Sequence, residues 1–270
     1  MKEIKLYVYS RVSDKETEQI INKIKMYYGM FFSFVTIVKK ADFILCIGDD
    51  NDVLSAKNIS NTFNVPIVGI NSTTIGFLHD NKIDDILQSL IKETVDGVYY
   101  PLLSMEGVTT DELDSDNLIS MSDITIKSAN DKKINIKLTV DELDSDNNTT
   151  IIYNCDSLVF STPIGAIFNN LKNDKCTMHP YIQTIMITSI IKNRKNKTID
   201  KQLLLPEFFD IYCTFDDDII ATFDGNQTIM INSGSVLKIM QVDGGGVSVV
   251  NNNTFFKAFN SLTFYNDECH

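Results

Sequence analysis

The chain has 270 residues, 43% of them hydrophobic, with 36 acidic against 24 basic side chains and a formal net charge of −12. Such a length and composition describe a globular protein that buries a sizeable core, in one large domain or two modest ones. The negative balance argues against a nucleic-acid footprint, which needs a basic patch, but it leaves nucleotides open because backbone N–H groups can hold phosphate.

No apolar stretch approaches the roughly 20 residues that span a bilayer, and the first five residues lack the apolar core of a secretory signal. The expectation is a cytoplasmic protein with no membrane partner. Cysteines at 46, 155, 176, 213 and 269 show no CxxC pairing and read as small buried thiols. His79, His179 and His270 are too scattered in sequence to suggest a metal site.

The first ninety-odd residues alternate strand and helix. Ile4–Tyr9 is a short β-type run, and Ser13-Asp14-Lys15-Glu16 reads as a capping box. The helix it opens runs to about Tyr28, with Ile20, Ile21, Ile24 and Tyr28 as its apolar stripe. Phe34–Val38 and Phe43–Ile47 follow as strands, the second almost wholly apolar, as a strand buried on both faces should be. Helix Val53–Phe63, strand Val65–Ile70 and helix Ile83–Lys92 complete an alternation that predicts a parallel, right-handed α/β sheet.

From about Val98 the segments become short and β-rich: Ile119–Ile126, Ile134–Val140, Ile151–Tyr153, Ile182–Ile187, Phe208–Phe215, Ile219–Phe223 and Val236–Val242. Asp/Asn/Gly turns separate them, which predicts an antiparallel, sandwich-like second domain interrupted by one helix near Ile164–Leu171. The expected fold class is α/β plus β. A Rossmann-like domain covers 1–96, rejoined by the segment 254–270, and a β-rich domain covers 97–253.

Four stretches could carry chemistry. The strand Phe43–Ile47 empties into Gly48-Asp49-Asp50-Asn51-Asp52 and then a helix, where ligands of open α/β sheets collect. Three carboxylates within four residues can hold a magnesium ion, serve as a general base, or make a polar turn with an N-cap. The next strand ends in Gly69-Ile70-Asn71, with Gly76-Phe77 just beyond, which suits either a loop approaching a ligand or a plain turn. The third, Asn154 to Gly165, ends a strand in Ser161-Thr162 and starts a helix at Pro163, offering free N–H groups for an anion or a ribose. It has no paired histidine, so it is a poor serine-hydrolase candidate. The fourth, Asp224-Gly225, is a hairpin turn when taken alone.

In this order and spacing the four stretches resemble the NAD kinase family, from about Phe43 to about Phe264. Leu54-Ser55-Ala56 sets the register of the family's Gly-Gly-Asp-Gly-Thr motif and places Asp50 on its catalytic aspartate. Gly69 to Phe77 match Gly-Ile-Asn-x-Gly-x-Leu-Gly-Phe, with Thr73 and Ile75 as replacements. Cys155 to Asn169 align without a gap to the Gly-Asp-Gly…Ser-Thr-Pro-x-Gly-Ser-Thr-Ala-Tyr motif, and Asp224-Gly225 match its later turn.

The resemblance implies a nucleotide cleft between the two domains and a homodimer or homotetramer. The reaction it implies is transfer of phosphate from ATP, with Mg2+, to the 2′-hydroxyl of the adenosine ribose of NAD, giving NADP. Asp50 would be the catalytic base. Gly48, Asp49, Asn51, Asp52, Asn71, Gly76, Phe77, Ser122, Asp123, Asp156, Ser161, Thr162, Asn169 and Asp224 would bind nucleotide, and Asp49 and Asp52 are the candidate metal ligands.

The departures lie in the ligand contacts. Asp49 and Asn51 replace glycines, Asp52 replaces threonine, and Ser122-Asp123 replace an Asn-Glu pair. Cys155 and Ser157 flank Asp156 in place of glycines, Ala166-Ile167-Phe168-Asn169 replace Ser-Thr-Ala-Tyr, and Asp174-Lys175 replace a glycine pair. A catalytically impaired paralogue, binding a nucleotide and acting through assembly, is therefore the alternative. A kinase of another substrate on the same fold is the third reading.

The heptapeptide Asp-Glu-Leu-Asp-Ser-Asp-Asn occurs twice, at 111–117 and 141–147. Neither copy has the central glycine or distal glutamate of an EF-hand, so solvated loops flanking a hairpin are the plain reading. Calcium at millimolar concentration is expected to leave the melting temperature unchanged, and an upward shift in a calorimetric scan would establish a divalent-ion site there instead.

Overall fold

A computed structural model describes residues 3–11, 15–71, 76–80, 82–95, 97–107, 118–140, 149–171, 177–192, 198–250 and 255–267. Both heptapeptide copies, the Ser13-Asp14 cap, Thr73, Ile75, Asp174-Lys175, Cys176, Cys269 and His270 lie outside the described residues. The chain divides into two compact units, Met1–Tyr100 with Gly246–His270, and Pro101–Gly245.

The first unit alternates strand and helix. Its elements in chain order are β1 (Ile4–Tyr9), α1 (Lys15–Tyr28), β2 (Phe32–Val35), β3 (Phe43–Ile47), α2 (Asp50–Phe63), β4 (Ile67–Ile70) and α3 (Ile83–Ile91). The expected strand Phe34–Val38 is corrected: pairing starts earlier, because the Ile4 amide donates to the Phe31 carbonyl and sets Phe32 opposite Ile4. A 3-10 turn at Val38–Lys40 then ends the extended run, closed by the Ala41 amide on the Val38 carbonyl.

The β1–β2, β1–β3 and β3–β4 pairings are all parallel, in the order β2-β1-β3-β4. The order reverses between β1 and β3. That reversal is a topological switch point, whose crevice lies past the carboxyl ends of those two strands. Ser10 and Arg11 follow β1 there, and Gly48 to Asp50 follow β3. Ile44, Leu45, Ile67, Val68 and Ile70 are buried, as strands covered on both faces require. Leu45, Val68 and Ile70 form one core with Leu6, Ile20, Ile24, Ile86, Leu87 and Leu90.

The chain continues through β5 (Gly97–Glu106), β6 (Ile119–Ser120), β7 (Asp123–Ser128), β8 (Ile134–Val140), β9 (Thr149–Cys155), β10 (Ser157–Ser161), α4 (Pro163–Leu171), β11 (Thr184–Lys192), β12 (Thr198–Pro206), β13 (Ile211–Phe215), β14 (Ile219–Phe223), β15 (Gln227–Ile231) and β16 (Leu237–Val250). The C-terminal α5 (Phe255–Asp267) belongs to the first unit, as does the end of β16, where Val249 and Val250 pair parallel to Ile67 and Val68.

In the second unit one antiparallel sheet runs β12-β11-β10-β7-β14-β15, and a second antiparallel run joins the start of β16 to β13, β8 and β9. Inward residues alternate along each strand. Ile134, Ile136 and Leu138 of β8 meet Ile124, Ile126, Leu158, Phe160 and Ile187 in one core, which makes the unit a sandwich. Cys46, Cys155 and Cys213 are buried, and burial raises all three thiols, Cys155 to about 11, which keeps them protonated and inert. Among the described residues no helix is long and apolar enough to cross a membrane.

Phe160 is fully buried at the centre of the sandwich. Phe160→Ala is expected to cost about 3–5 kcal/mol in urea-induced unfolding, the transfer and cavity terms together; a loss below about 1 kcal/mol would show that this core is not tightly packed.

Candidate active site

In the first unit the site grows from the start of α2. Asp49 is the N-cap residue, and its Oδ1 accepts the amides of Asn51 (2.9 Å) and Asp52 (3.2 Å). Asp52 Oδ2 reaches back to accept the Asp49 amide at 2.9 Å, completing a reciprocal capping box. Its other oxygen, Oδ1, takes Nε–H of Arg11 at 2.5 Å. Burial pushes the Asp49 carboxyl upward, but the bonds from Asp52 and Asn51 together outweigh that and hold it below the usual carboxylate range. Gly48 has φ +152°, and a Cβ there would fall 1.9 Å from Asp52 Oδ2, so the box closes only over glycine.

Asp50, the first helical residue, points the other way. Its Oδ2 accepts the Phe77 amide at 3.0 Å, and its Oδ1 accepts the Leu78 amide at 2.9 Å and lies 2.7 Å from Nδ1 of His79. These donors lie in the described residues 76–80, whose last residue, Asp80, is tied back to the end of β4. Two bonds make that tie, Asn71 N–H to the Asp80 carbonyl and Asp80 N–H to the Gly69 carbonyl, both 2.9 Å. Phe77 packs its ring 6.0 Å from that of Phe255 on α5, which anchors the segment from the outside.

In the second unit the turn between β14 and β15 has positive φ at both central residues, Asp224 (+49°) and Gly225 (+69°), a pattern of type I′ hairpins. The turn delivers the Asp224 carboxylate, buried, onto the segment between β6 and β7. It accepts the amides of Met121 (3.2 Å), Ser122 (2.7 Å) and Asp123 (3.2 Å), and the Ser120 hydroxyl lies at 2.5 Å. Asp123 lies opposite Ser161 in the β7–β10 ladder. Asn169 of α4 bridges the two, its Nδ2 3.4 Å from both Asp123 Oδ2 and Ser161 Oγ. Thr162 caps the helix start: its hydroxyl donates to the Met121 carbonyl at 2.6 Å and its amide to the Ser122 carbonyl at 2.9 Å. A Cβ on Gly165 would fall 2.0 Å from the Ser122 carbonyl oxygen, so glycine is what lets α4 approach.

Burial raises the Asp123 carboxyl, and the negative charge of Asp224 adds to the rise. Bonds to Ser122, Thr125 and Asn169 offset only part of it.

Gly48, Asp49, Asp50, Asn51, Asp52, Asn71, Gly76 and Phe77 thus gather in the first unit. Ser122, Asp123, Ser161, Thr162, Asn169 and Asp224 gather in the second. Asp156 stands apart from them, before β10 and five residues from Ser161, roughly 16 Å along an extended strand. Its amide donates to the Ile190 carbonyl. Three participants were missed in the sequence: Arg11, His79 and Ser120. Arg11 follows a parallel strand at the sheet's ligand-bearing end, which is a usable signal. His79 lies two residues past the last matched position of its motif. Ser120 is brought to Asp224 only by the fold.

Residues 13–99 match the model of the ATP-NAD kinase N-terminal domain. The NAD kinase 1 of Halalkalibacterium halodurans is 26% identical over 202 residues, covering 72% of this chain and 73% of that protein. Yeast NADH kinase complexed with NADH superposes with a TM-score of 0.78 at 16% identity, over 98% of this chain and 89% of that one. An NAD kinase from Archaeoglobus fulgidus in complex with ATP gives 0.70 at 17% identity, over 96% and 99%.

The chain thus resembles NAD kinases, over residues 13–99 in the family model and over 202 residues in the Halalkalibacterium halodurans protein. Asp49 and Asp52, which stand where the NAD kinase motif has a glycine and the threonine, have a local function: they satisfy backbone amides at the start of α2. A capping interaction of this kind contributes about 1 kcal/mol. A carboxylate about 4 Å from a phosphate charge opposes it by up to ~4 kcal/mol at an effective dielectric near 20.

The raised Asp123 carboxyl makes a pH-dependent prediction. A carboxyl whose folded-state value lies above its unfolded value adds stability at acid pH and loses it as pH rises through the folded value. Asp123→Asn removes that loss while keeping the shape. It is expected to raise the melting temperature at pH 7, with the gain shrinking to zero toward pH 4; an equal gain at both pH values would show that charge is not the cause.

Proposed function

We propose that the protein is a divergent NAD kinase, transferring the γ-phosphoryl group of ATP to the 2′-hydroxyl of the NAD adenosine ribose. The supporting observation is the placement of Asp50: a fixed carboxylate at the sheet's ligand-bearing end, its side chain still 20% exposed. In the step itself the ribose hydroxyl gives its proton to Asp50 and its oxygen bonds to the γ-phosphorus. The bond from that phosphorus to the β–γ bridging oxygen breaks, and ADP leaves with NADP as product.

Magnesium would neutralise charge on the transferring phosphates. Among the described residues no three His, Cys, Asp or Glu side chains come together as a metal site, and both oxygens of Asp52 are engaged. The ion would therefore be carried chiefly by the phosphates of ATP, as Mg2+ commonly is. The same reading has a cytoplasmic homodimer or homotetramer.

One observation favours a second reading, a catalytically impaired paralogue that binds NAD or NADP and acts through assembly. The Asp49 carboxylate already sits on the amides of Asn51 and Asp52, which opposes a phosphate at the same helix start.

Purified protein incubated with ATP, Mg2+ and NAD, with NADP read by an NADP-specific dehydrogenase, separates the readings. Turnover that falls by about 10²–10⁴-fold in Asp50→Ala supports the kinase. Asp49→Gly is then expected to lower the KM for ATP by about tenfold, well inside the ~4 kcal/mol bound. Absent turnover with an NAD-induced rise in melting temperature supports the paralogue. Neither turnover nor a shift defeats both, and turnover of another acceptor alone makes it a kinase of a different substrate.

A further inference from the structure

The proton acceptor of the proposed reaction has a partner that the family motif does not include. This step rests on Asp50 being the base. His79 is almost wholly buried, its side chain 3% exposed, whereas Asp50 keeps 20%. An ionised carboxylate only accepts hydrogen bonds, so Nδ1 of His79 must carry the proton across their 2.7 Å contact.

The division of donors between the two oxygens is uneven. Oδ1 receives both the Leu78 amide and the His79 ring; Oδ2 receives the Phe77 amide. A carboxylate has about four acceptor positions. Among the described residues, the one left over belongs to Oδ2. The surrounding backbone is built to this arrangement. A Cβ on Gly76 would fall 2.2 Å from Cε1 of His79 and 2.5 Å from Oδ1 of Asp50, and one on Gly69 would fall 2.3 Å from the Leu78 carbonyl oxygen. Both glycines make room for the segment that carries the ring.

We infer that His79 is a positioning residue: its Nδ1–H holds Oδ1 of Asp50, and Oδ2 is the oxygen that takes the ribose proton. The effect acts on the chemical step and not on nucleotide affinity, because a base displaced by an ångström costs about 10²-fold in rate while the substrate contacts stand. In this role His79 acts through Asp50.

The test uses two substitutions and one spectrum. His79→Asn places an amide Nδ2 where Nδ1 stood and keeps a donor; His79→Leu keeps bulk and removes it. His79→Asn is expected to hold kcat within about threefold, and His79→Leu to lower it about 10²-fold with KM for NAD and ATP within twofold. Equal losses in both variants, or a loss carried by KM, would overturn the role. Long-range proton–nitrogen spectra of the wild type are expected to show a proton on Nδ1 of His79 that shifts in Asp50→Ala. An Nε2–H tautomer in an active wild type overturns the inference about His79 and leaves Asp50 as base. A wild type that forms no NADP overturns the assignment of Asp50 itself, and the positioning role with it.

Discussion

The carboxylate of Asp50 is held by three donors that arrive together, the amides of Phe77 and Leu78 and the ring of His79, and much of the first unit serves that meeting. The aspartate is the first residue of α2, so its backbone is placed by β3, which the switch-point topology sets at the ligand-bearing edge of the parallel sheet. The donors lie beyond β4, tied back to its end by the Asn71–Asp80 and Asp80–Gly69 bonds. Parallel pairing of β3 with β4 puts the two strand ends side by side, and the Gly48 amide bonds the Ile70 carbonyl across that gap. The sheet register, two glycines without side chains and an aromatic anchor on α5 therefore converge on the orientation of one carboxylate.

The second unit solves a similar problem with a different device. Asp224 is placed by a tight hairpin instead of a helix start, and its carboxylate gathers the amides of three successive residues. Those bonds curve the Met121–Asp123 segment so that its carbonyls face Thr162 and the start of α4. Asp123 lies beside this charge and pays in its own protonation equilibrium, raised by burial and by Asp224. The hydroxyls of Ser122 and Thr125 and the amide of Asn169 offset part of that rise.

Much of this was legible in the residues, and unevenly so for physical reasons. Strands buried on both faces, such as Phe43–Ile47, and alternating ones, such as Ile134–Val140, declare themselves because a face pattern is a local property. Thr198–Pro206 and Gln227–Ile231 did not, because they lie at the two ends of the six-stranded sheet, where half the pattern faces solvent and Lys201 or Met230 is as acceptable as a β-former. The position of Asp50 followed from an ordered set of motifs. The partners of Asp50 and Asp224 could not follow, since His79 and Ser120 owe their contacts to loop closure and to a hairpin 104 residues away along the chain.

The acidic run at the start of α2 shows how a local gain can alter a site without altering its fold. A helix leaves its first amides unpaired, and either an external anion or a side chain can meet them. In this chain the side chain is present permanently: Asp49 meets the amides of Asn51 and Asp52, Asp52 meets that of Asp49, and Arg11 closes the charge from the neighbouring strand end. Each change agrees with its immediate surroundings, which is why the fold accepts carboxylates where the family has glycines and a threonine. An external phosphate at this helix start would have to compete with an anion tethered one residue from the helix. Asp50 lies outside that competition, because its side chain bonds Phe77, Leu78 and His79 and none of the amides of the capping box. In the proposed reaction, donor binding and proton abstraction would thus rest on adjacent residues with separate partners, and a change at Asp49 would alter the first while the Asp50 contacts stay as they are.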